Sequence, residues 1–527
     1  MEEKFDHLFT EESDSEIIIK DENKSSRASK LLKACGWRFL VFLFFSQFIC
    51  KGLLMIIVKN IMLPLFRDKV DAATLQIYVM VCMLPWSIKP LIGLCSDYIL
   101  LCGFHKRGWL ILSLVLGVIS SAILLTQNYR VLVFCFVGIN FEIALFDLLS
   151  EGKYAEIRRD HKELGSDLTT FTQALQTCGQ LAGTCLVGFL SDENAFFALY
   201  VLTLVFCALP AGPTLLGWLP EQRNENRRWI SFLSTDSSSF LEELPKIVVV
   251  FICGIAGVVV SILTLSIPDP FGPFVGLGVG TLFLIIILYG SHRAFASQPL
   301  ITAVALYQVI TSLSSPVIGS ELDYFYTATP ECLADGPHFS YAYYISYTGI
   351  VGTAVALSGT LLYHFFLSSL RFRPVLLITT ALVCLAGLSD LIIVLRLNIK
   401  LGIPDKVAYM VGEAVLEPLL GTLNWIPVSA LIALSAPKGM EASCFAFLAG
   451  LSNFSRMMSE LSGSIVISFT SSLMSTSTNQ SGGGSAANCN FDSLWWLVLL
   501  CHVSFPLIIG VLATWLIPDM RQEEGVD

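Results

Sequence analysis

The sequence predicts an all-α membrane protein of about fourteen transmembrane helices that form two bundles. Apolar residues make up 54% of the chain and charged residues only 14%, whereas soluble domains carry roughly 25% charged residues. The apolar residues come in blocks of about twenty, the helix length that spans a hydrocarbon layer roughly 30 Å thick. The net charge of −10 is concentrated in the terminal tails, so we expect no nucleic-acid binding. The predicted helices therefore turn their apolar surface toward lipid.

The first part of the chain predicts a cytosolic tail over residues 1–37 and a six-helix bundle over residues 38–220. In a window of about 19 residues, the apolar runs place helices near residues 38–58, 75–95, 108–127, 131–151, 168–190 and 195–218. A polar stretch over residues 221–245 follows and contains Arg223, Arg227 and Arg228. This stretch predicts the cytosolic loop that joins the two halves.

Eight further apolar runs follow this loop, and an internal repeat divides them. They place helices near residues 246–267, 272–291, 299–319, 341–366, 373–395, 406–434, 443–473 and 494–517. Leu91, Gly93, Leu101 and Arg107 recur without gaps, 266 positions later, as Leu357, Gly359, Leu367 and Arg373. Two related halves are typical of transporter folds. We therefore expect a second six-helix bundle over residues 299–518, an inserted pair of helices over residues 246–291, and a cytosolic tail over residues 519–527.

Basic residues near the membrane predict that both termini are cytosolic, because cytosolic loops carry an excess of Lys and Arg. The opposite side has two long loops, residues 320–340 and 476–493, which contain neither Lys nor Arg. Asn479 begins a glycosylation sequon in the second loop. Cys332 and Cys489 lie one in each loop, where they could form a disulfide. We expect the plasma membrane of a eukaryotic cell, with an endosomal, lysosomal or other organelle membrane as the alternative.

The predicted orientation follows from the basic residues at the ends of the predicted helices, most of which lie on the cytosolic side. The residues that favour it are Lys30, Lys33, Lys106, Arg107, Arg158, Arg159, Arg227, Arg228, Arg293, Arg371, Arg373 and Lys438, whereas Lys59, Arg67, Lys69, Arg396 and Lys400 break the pattern.

A motif runs from the second predicted helix into the turn after it. It reads Pro85-Trp86, Lys89-Pro90, Gly93, Ser96-Asp97, and then Gly103, Lys106 and Arg107. Gly93 allows two helices to approach closely. Asp97 ends the helix at the cytosolic face, where Lys106 and Arg107 can pair with it or cap a neighbouring helix. These four residues, with Arg373 as the counterpart of Arg107, predict a gate, and the alternative is that they are ordinary basic-loop residues.

This motif resembles the signature of the folate-biopterin transporter family of the major facilitator superfamily, which runs Pro-Trp, Lys-Pro, Gly, Ser-Asp, Gly and paired basic residues. Two other stretches are similar to that family: Asp147-Leu-Leu-Ser-Glu151 with Ala155-Glu156, and the aromatic run Tyr324-Phe325-Tyr326-Thr327. The second acid, usually Asp in the family, is Glu151 here. The resemblance implies a major-facilitator-like two-bundle fold with twelve core helices plus the two inserted ones. It also implies uptake of folates or pterins by alternating access, driven by a proton gradient.

Several ionisable residues lie inside the predicted spans. An ionised side chain there costs roughly 2.5–3.5 kcal/mol on the lenient insertion scale, so each needs a partner or a water-filled cavity. Asp147 and Glu151 are four residues apart and share one helical face, so we expect them to exchange protons. We expect a polar cavity that binds the solute through Lys51, Lys89, Glu142, Glu413, Glu417, Asn424, Trp425, Arg456 and Tyr324. Alternatively, Arg456 pairs with Glu460 on its own helix, and the aromatic residues belt the membrane interface.

Other functions stay open at this point. Glu142, Glu321, Asp323, Glu413 and Glu417 favour a cationic or zwitterionic metabolite on the same fold, and a non-transporting receptor or scaffold is a further alternative. We expect no enzyme, because the sequence has no phosphate-binding glycine loop, no HExxH motif and no Ser/His/Asp set at one membrane depth. The 15 cysteines lack the spacing of a metal site. We therefore expect no cofactor and no metal, and a monomer whose partners are the solute, protons and the lipid bilayer.

Overall fold

A computed structural model describes residues 27–160, 167–223, 230–232, 237–435, 441–475 and 489–521. In this part of the chain, ten helices are long and apolar enough to cross a membrane. The predicted class of an all-α membrane protein is therefore confirmed. The predicted glycosylation site Asn479 and the basic residues Arg227, Arg228 and Lys438 lie outside the described residues.

The first half is built around two central helices. Its helices are α1 (Arg27–Cys35), α2 (Trp37–Phe66), α3 (Ala72–Cys82), α4 (Leu84–Ser87), α5 (Lys89–Tyr98), α6 (Arg107–Leu124), α7 (Tyr129–Asp160), α8 (Asp167–Asp192) and α9 (Phe196–Leu215). The span of α2 is 61% buried and that of α7 is 67% buried, against 33% for α6 and α9. Among these long apolar spans of the first half, the two most enclosed are therefore those that carry Lys51 and Asp147.

The predicted second helix, near residues 75–95, is interrupted twice. It consists of α3, α4 and α5, with breaks at Met83 and Ile88. Pro85 and Pro90 lie just after these breaks, and proline cannot donate the backbone hydrogen bond of a continuing helix. The interruptions place the side chains of the Pro-Trp and Lys-Pro pairs on separate short helices.

The second part of the chain contains the inserted pair and the second half. The helices are α10 (Ser237–Ser266), α11 (Phe271–Ala294), α12 (Pro299–Leu313), α13 (Gly319–Tyr326), α14 (Ala342–Phe366), α15 (Phe372–Val394), α16 (Leu397–Lys400), α17 (Asp405–Ile432), α18 (Glu441–Ser475) and α19 (Leu494–Leu516). Helix α10 begins well before the predicted residue 246. The strands β1 (Ile99–Leu101) and β2 (Ile230–Phe232) pair antiparallel, so the loop between the halves returns to the end of α5.

The first helix of the second half is broken inside the membrane. Residues 314–318, which include Pro316, separate α12 from α13. The freed N–H of Val317 donates to the Ser459 carbonyl on α18 at 3.1 Å. Gly463 allows this approach, because a Cβ there would lie 1.8 Å from the Val317 oxygen. Backbone that leaves the helix within a membrane must find such partners in protein, and α13 is thus a separate short helix held by α18.

The inserted pair contacts both halves. Helix α10 packs on α4 and α5, and α11 packs on α12 and α18. Both contacts use glycine: a Cβ on Gly254 would lie 2.4 Å from the Leu91 Cβ, and one on Gly280 would lie 2.3 Å from the Met458 sulfur. Helices α10 and α11 therefore cover the contact between α5 and α18.

The two halves are joined most tightly at one end of the molecule. We call this end, which carries the disulfide Cys332–Cys489, the disulfide face. The opposite end, where α5 gives way to α6, is the tail face.

Hydrogen bonds between the halves close the disulfide face. The Arg67 guanidinium donates to the Thr327 carbonyl. The Asp192 carboxylate accepts from the backbone N–H groups of Tyr341 at 2.6 Å and Ala342 at 3.0 Å. The conformation described is therefore closed at the disulfide face.

Candidate functional site

A buried cluster of lysines and carboxylates lies at the centre of the first half. The Lys51 Nζ on α2 is 2.7 Å from one oxygen of Asp147 on α7 and 3.1 Å from Glu151. Lys89 on α5 forms an ion pair with the other oxygen of Asp147. The Asp147 side chain is only 1% exposed. The structure thus brings together four predicted site residues from three helices, and their charges cancel when all four are ionised.

The Pro-Trp and Lys-Pro motif links this cluster to the second half. The Lys89 Nζ lies 4.1 Å from the centre of the Trp86 ring, a cation–π contact. The Trp86 indole donates to Asn140 at 3.3 Å, and its backbone carbonyl accepts from Asn453 on α18 at 3.0 Å. Pro90 packs directly against Gly450 of α18. A displacement of α18 would therefore move Trp86 and Pro90, and with them the position of Lys89.

Glu142, which was predicted to bind the solute in the polar cavity, does not join the cluster. It lies five residues before Asp147, which at about 3.6 residues per turn places it on another helical face. Its carboxyl is fully buried against Gly117 on α6, where a Cβ would come within 1.7 Å of it. The sequence spacing alone could have indicated this separation.

The second half holds a different cluster, made of carboxyl groups, tyrosines and a histidine. The Asp390 carboxylate on α15 accepts from the Tyr326 hydroxyl at 2.5 Å and lies 3.2 Å from the His502 Nδ1 on α19. Glu413 on α17 lies within electrostatic range of the same Asp390. The Tyr326 ring packs on Tyr409 with centroids 4.6 Å apart. Of these residues, the sequence predicted only Glu413 as a site residue and Tyr326 as a matching aromatic.

Asp390 and His502 were missed although one signal was available. Asp390 lies in an apolar run, as do the carboxylates that were singled out, and the cost of an ionised group in a membrane applies to it equally. His502 carries no formal charge in the sequence count, so a search for charged residues inside apolar runs does not find it. Its role becomes visible only when α19 packs against α15.

Three of the ionisable residues lie in π-helical turns. These are Lys51 in Phe44–Leu54, Glu413 in Gly412–Leu416 and His502 in Leu499–Ser504. Such turns are rare and frequently occur at functional sites. They also shift the helical face of the residues that follow, which period-based prediction does not anticipate.

Arg456 and Glu417 lie between the two clusters. The Arg456 Nε is 3.0 Å from the Glu460 carboxylate on the same helix, and its side chain is 66% exposed. Glu460 in turn accepts from Gln76 of the first half. Glu417 lies within electrostatic range of Arg456 and of Lys59 from α2. Arg456 is therefore already paired in this conformation, as the alternative interpretation expected, yet most of its side chain is accessible.

The remaining predicted binding residues do not join either cluster. Asn424 donates to Thr379 at 3.1 Å within the second half. The Trp425 side chain is 56% exposed. Tyr324 is buried and donates to the Val70 carbonyl at 2.7 Å. Tyr324 therefore belongs to the closed disulfide face rather than to a cavity.

At the tail face, two of the predicted gate residues, Asp97 and Lys106, line a pocket of about 670 Å³. Asp97, Lys106, Glu156 and Glu221 line this pocket. Lys106 forms an ion pair with Glu156, which also pairs with Lys153 at 2.8 Å. Burial raises the pKa of Glu156, but the hydrogen bonds and charges of the two lysines outweigh this and hold the pKa below its usual value. Glu156 therefore stays ionised at neutral pH, and this ion pair is broken by movement rather than by titration.

Arg107 does not pair with Asp97 in this conformation but takes the other predicted role and caps the end of a neighbouring helix. Its guanidinium donates to the Leu215 carbonyl at the end of α9. Arg373, its counterpart, donates to the Ile517 carbonyl at the end of α19 at 2.5 Å. Each arginine thus holds the last helix of its own half. Both arginines therefore make contacts within one half, and neither bridges the two halves.

Gly93 and Gly359 show the same internal placement. The nearest neighbour of a Cβ on Gly93 is Leu148 of α7, and that of a Cβ on Gly359 is Leu419 of α17. At Gly359 the approach is tight, with 3.2 Å to Leu419, whereas a Cβ on Gly93 would lie 3.8 Å from Leu148 in ordinary contact, so the close approach predicted for Gly93 is not seen in this conformation. The structure also joins Cys332 to Cys489 in a disulfide.

These features define a membrane transporter with the two-bundle major-facilitator fold. The solved structure of the POT family transporter PepTSo superimposes with a TM-score of 0.62 at 12% identity, over 91% of this chain and 97% of that one. At this identity the likeness shows the fold alone.

The family model described as BT1 family matches residues 49–527, and the chain therefore belongs to the BT1 family. It is 22% identical over 456 residues to "Probable folate-biopterin transporter 6" of Arabidopsis thaliana, covering 86% of this chain and 76% of the relative. It is 24% identical over 426 residues to "Folate-biopterin transporter" of Synechocystis sp., covering 80% and 70%. The predicted family resemblance is confirmed, and the protein is a transporter rather than an enzyme.

Proposed function

We propose that this protein is a proton-coupled secondary transporter of folates or pterins that works by alternating access. The observation that carries the proposal is the cluster of Lys51, Lys89, Asp147 and Glu151, which places two ammonium groups deep in a membrane bundle beside the second half. The names of the relatives supply the class of solute. We further propose a monomer in the plasma membrane of a eukaryotic cell, with both termini cytosolic.

The charge balance of the cluster suggests how an anion and a proton are coupled. A substrate carboxylate that reaches Lys51 must compete with Asp147 and Glu151 for its ammonium group. Glu151 is the more accessible acid, with its side chain 33% exposed against 1% for Asp147. A proton on Glu151 frees Lys51 for the substrate anion. Proton and anion then favour each other's binding, as linkage requires.

The second half offers complementary contacts for the ring of such a solute. A pterin ring presents N–H donors that carboxylates accept and a flat face that aromatic side chains stack on. Glu413 and Glu417 are the acceptors we assign to it. Arg456, with its exposed guanidinium, is the second anchor for a carboxylate of the solute.

Alternating access requires the closed disulfide face to open while the tail face closes. The contacts of Arg67 and Asp192 across the seam are the ones we expect to break. Asp97, Lys106 and Glu156 are the ones we expect to rearrange at the tail face. Arg107 and Arg373 keep each bundle rigid during the movement.

Uptake of radiolabelled folate and biopterin into proteoliposomes, with and without an inward proton gradient, tests this function. We expect gradient-dependent accumulation of at least one solute by the wild type. Lys51→Ala and Asp147→Asn are expected to abolish it, while the control Lys400→Ala, an exposed residue at the far end of α16, keeps wild-type uptake. Equal uptake with and without the gradient, or unchanged uptake by Asp147→Asn, contradicts the proposed coupling.

The acidic groups of the second half favour one other function. Asp390, Glu413 and Glu417 together form a wall that suits a cationic or zwitterionic metabolite. If folate and biopterin are both silent in a folded sample, competition with such metabolites is the next measurement. Solute binding without net flux indicates a receptor instead.

A further inference from the structure

A side-chain amide of the first half enters the second half beside its broken first helix. Gln76 lies in the second turn of α3 and is only 2% exposed. Its amide oxygen accepts from the backbone N–H of Ser320 at 3.0 Å, and its amide nitrogen donates to the Glu460 carboxylate. This orientation of the amide is determined, because a backbone N–H only donates and an ionised carboxylate only accepts. Gln76 therefore binds two helices of the second half, α13 and α18, at once.

The backbone that receives this amide is held within the second half. The N–H of Ser320 lies in the first turn of α13, where backbone donors have no partner inside the helix. The Val317 N–H donates to the Ser459 carbonyl at 3.1 Å, and the Ser459 hydroxyl donates to the Ser315 carbonyl. Ser459 directly precedes Glu460 in α18. The two helices therefore stay joined to each other, and a separation of the halves removes the amide contact.

The two oxygens of the Glu460 carboxylate have different partners. One oxygen accepts from the Arg456 Nε at 3.0 Å, and the other accepts from Gln76. The Glu460 side chain is 10% exposed, whereas that of Arg456 is 66% exposed. A guanidinium can give two parallel hydrogen bonds to one carboxylate, but here one carboxylate oxygen is taken by the amide. The arginine is therefore paired through one nitrogen, and its guanidinium is accessible.

This arrangement gives the amide a role in solute recognition. We propose that Gln76 is a positioning residue, which limits Glu460 to a single bond with Arg456 and so leaves the terminal guanidinium nitrogens for a carboxylate of the solute. Without the amide, Glu460 turns both oxygens onto the guanidinium and occupies the donors that the solute needs. The inference rests on the proposed function, in which Arg456 is an anchor for a solute carboxylate.

The contact also links recognition to the movement of the two halves. Gln76 belongs to the first half and Glu460 to the second, so their bond requires the halves to be together at this place. A carboxylate bound to Arg456 and the closed disulfide face therefore favour each other, since linkage between two equilibria is reciprocal. Folate carries carboxylates on its glutamate portion, whereas biopterin carries none. Only folate is therefore expected to depend on Gln76.

Equilibrium binding of radiolabelled folate and biopterin to the purified protein tests this dependence. Gln76→Leu is expected to weaken folate binding by at least about fivefold and to change biopterin binding little. The control is Gln298→Leu, the same substitution at a half-buried glutamine that precedes α12, and it is expected to keep both affinities. An unchanged folate affinity in Gln76→Leu, or an equal loss for the two solutes, overturns the proposal.

A second variant separates positioning from damage to packing. Glu460→Gln keeps an acceptor for Gln76 and removes the charge that competes for Arg456, so it is expected to bind folate at least as tightly as the wild type. The double variant Gln76→Leu with Glu460→Gln is expected to recover the folate affinity that Gln76→Leu loses, because contacting residues are not additive. A double variant that binds folate as weakly as Gln76→Leu overturns the role.

Arginine labelling tests the arrangement without any solute. Phenylglyoxal condenses with the terminal nitrogens of a guanidinium, and mass spectrometry measures its adduct at Arg456. Labelling is expected to slow in Gln76→Leu, to recover in the double variant and to stay unchanged in Gln298→Leu. Equal labelling rates in the wild type and Gln76→Leu overturn the positioning role. A wild type that binds neither folate nor biopterin contradicts the proposed function, and the labelling then decides the role of Gln76 by itself.

Discussion

The two halves of this transporter differ in what surrounds the same acidic position. In the first half, Asp147 lies between two lysines. Glu413 lies 266 positions later, at the equivalent place in the repeat, and no lysine or arginine among the described residues forms an ion pair with it. The nearby Asp390 has Tyr326 and His502 as its partners. A repeat that fixes the positions of carboxyl groups therefore does not fix their partners.

The largest expected effect tests this difference by removing the negative charge in each half. Asp147→Asn leaves two buried lysines opposite one acid, and breaking a buried pair in this way typically costs about 3–5 kcal/mol. Glu413→Gln removes an acid that forms no ion pair with a lysine or arginine among the described residues, so it is expected to cost far less. The measurement is thermal unfolding of each purified variant in detergent.

The double variant Lys89→Met with Asp147→Asn is the control for that experiment. It leaves Lys51 opposite Glu151, so it is expected to recover part of the stability that Asp147→Asn loses. Equal destabilisation by the two single variants contradicts the contrast between the halves.

The next effect concerns the Tyr326 hydroxyl, which donates to Asp390. Tyr326→Phe removes this hydrogen bond, and bonds to charged groups contribute about 1.5–3 kcal/mol. We expect a lower stability in thermal unfolding. Tyr343→Phe, which removes an exposed bond to the Lys406 carbonyl, is the control and is expected to change the stability less. Equal losses in the two variants contradict a structural role of the Tyr326 bond.

A smaller effect is expected when the second half is given the missing cation. Val355 occupies the place of Lys89 in the repeat, so we expect the added ammonium group of Val355→Lys to pair with Glu413. Gradient-driven accumulation then falls by about tenfold, which corresponds to roughly 1.4 kcal/mol, because Glu413 is no longer available to the solute. The Val355→Met side chain has a similar length without the charge. An identical loss of accumulation in that variant would show that side-chain size, and not charge, causes the effect.

Much of the fold follows from the sequence because its signals are local. Each helix that was predicted from an apolar run has a counterpart in the structure, because the length of a membrane span depends on the bilayer rather than on neighbouring helices. The helices near residues 75–95 and 299–319 break at prolines, which the same reasoning could have located. The start of α10 was missed because its first turns are polar and lie outside the apolar run.

The candidate site was less predictable because its partners are set by packing. The acids of α7 and α17 could be identified as residues that need partners, and Lys51 and Lys89 were found by the same rule. Nothing in the chain order indicates that Asp390 and His502 meet, because they lie on helices that are far apart in sequence. The gate residue Arg107 illustrates the opposite error: its basic charge was recognised, but only the packed helices reveal that it binds within its own half.

The smallest expected effect asks whether the halves are equivalent away from their clusters. Arg107 and Arg373 bind carbonyls at the end of the last helix in their respective halves. Lysine keeps the charge but loses the planar fork of donors, so Arg107→Lys and Arg373→Lys are each expected to lower stability by about 0.5–1.5 kcal/mol. Arg293→Lys, near the exposed ring of Tyr289, is the control and is expected to change little. Similar losses of stability in Arg107→Lys and Arg373→Lys would show that the two halves differ only at the acidic clusters. A large loss of uptake in Arg107→Lys alone would instead show that Arg107 takes part in the tail-face gate.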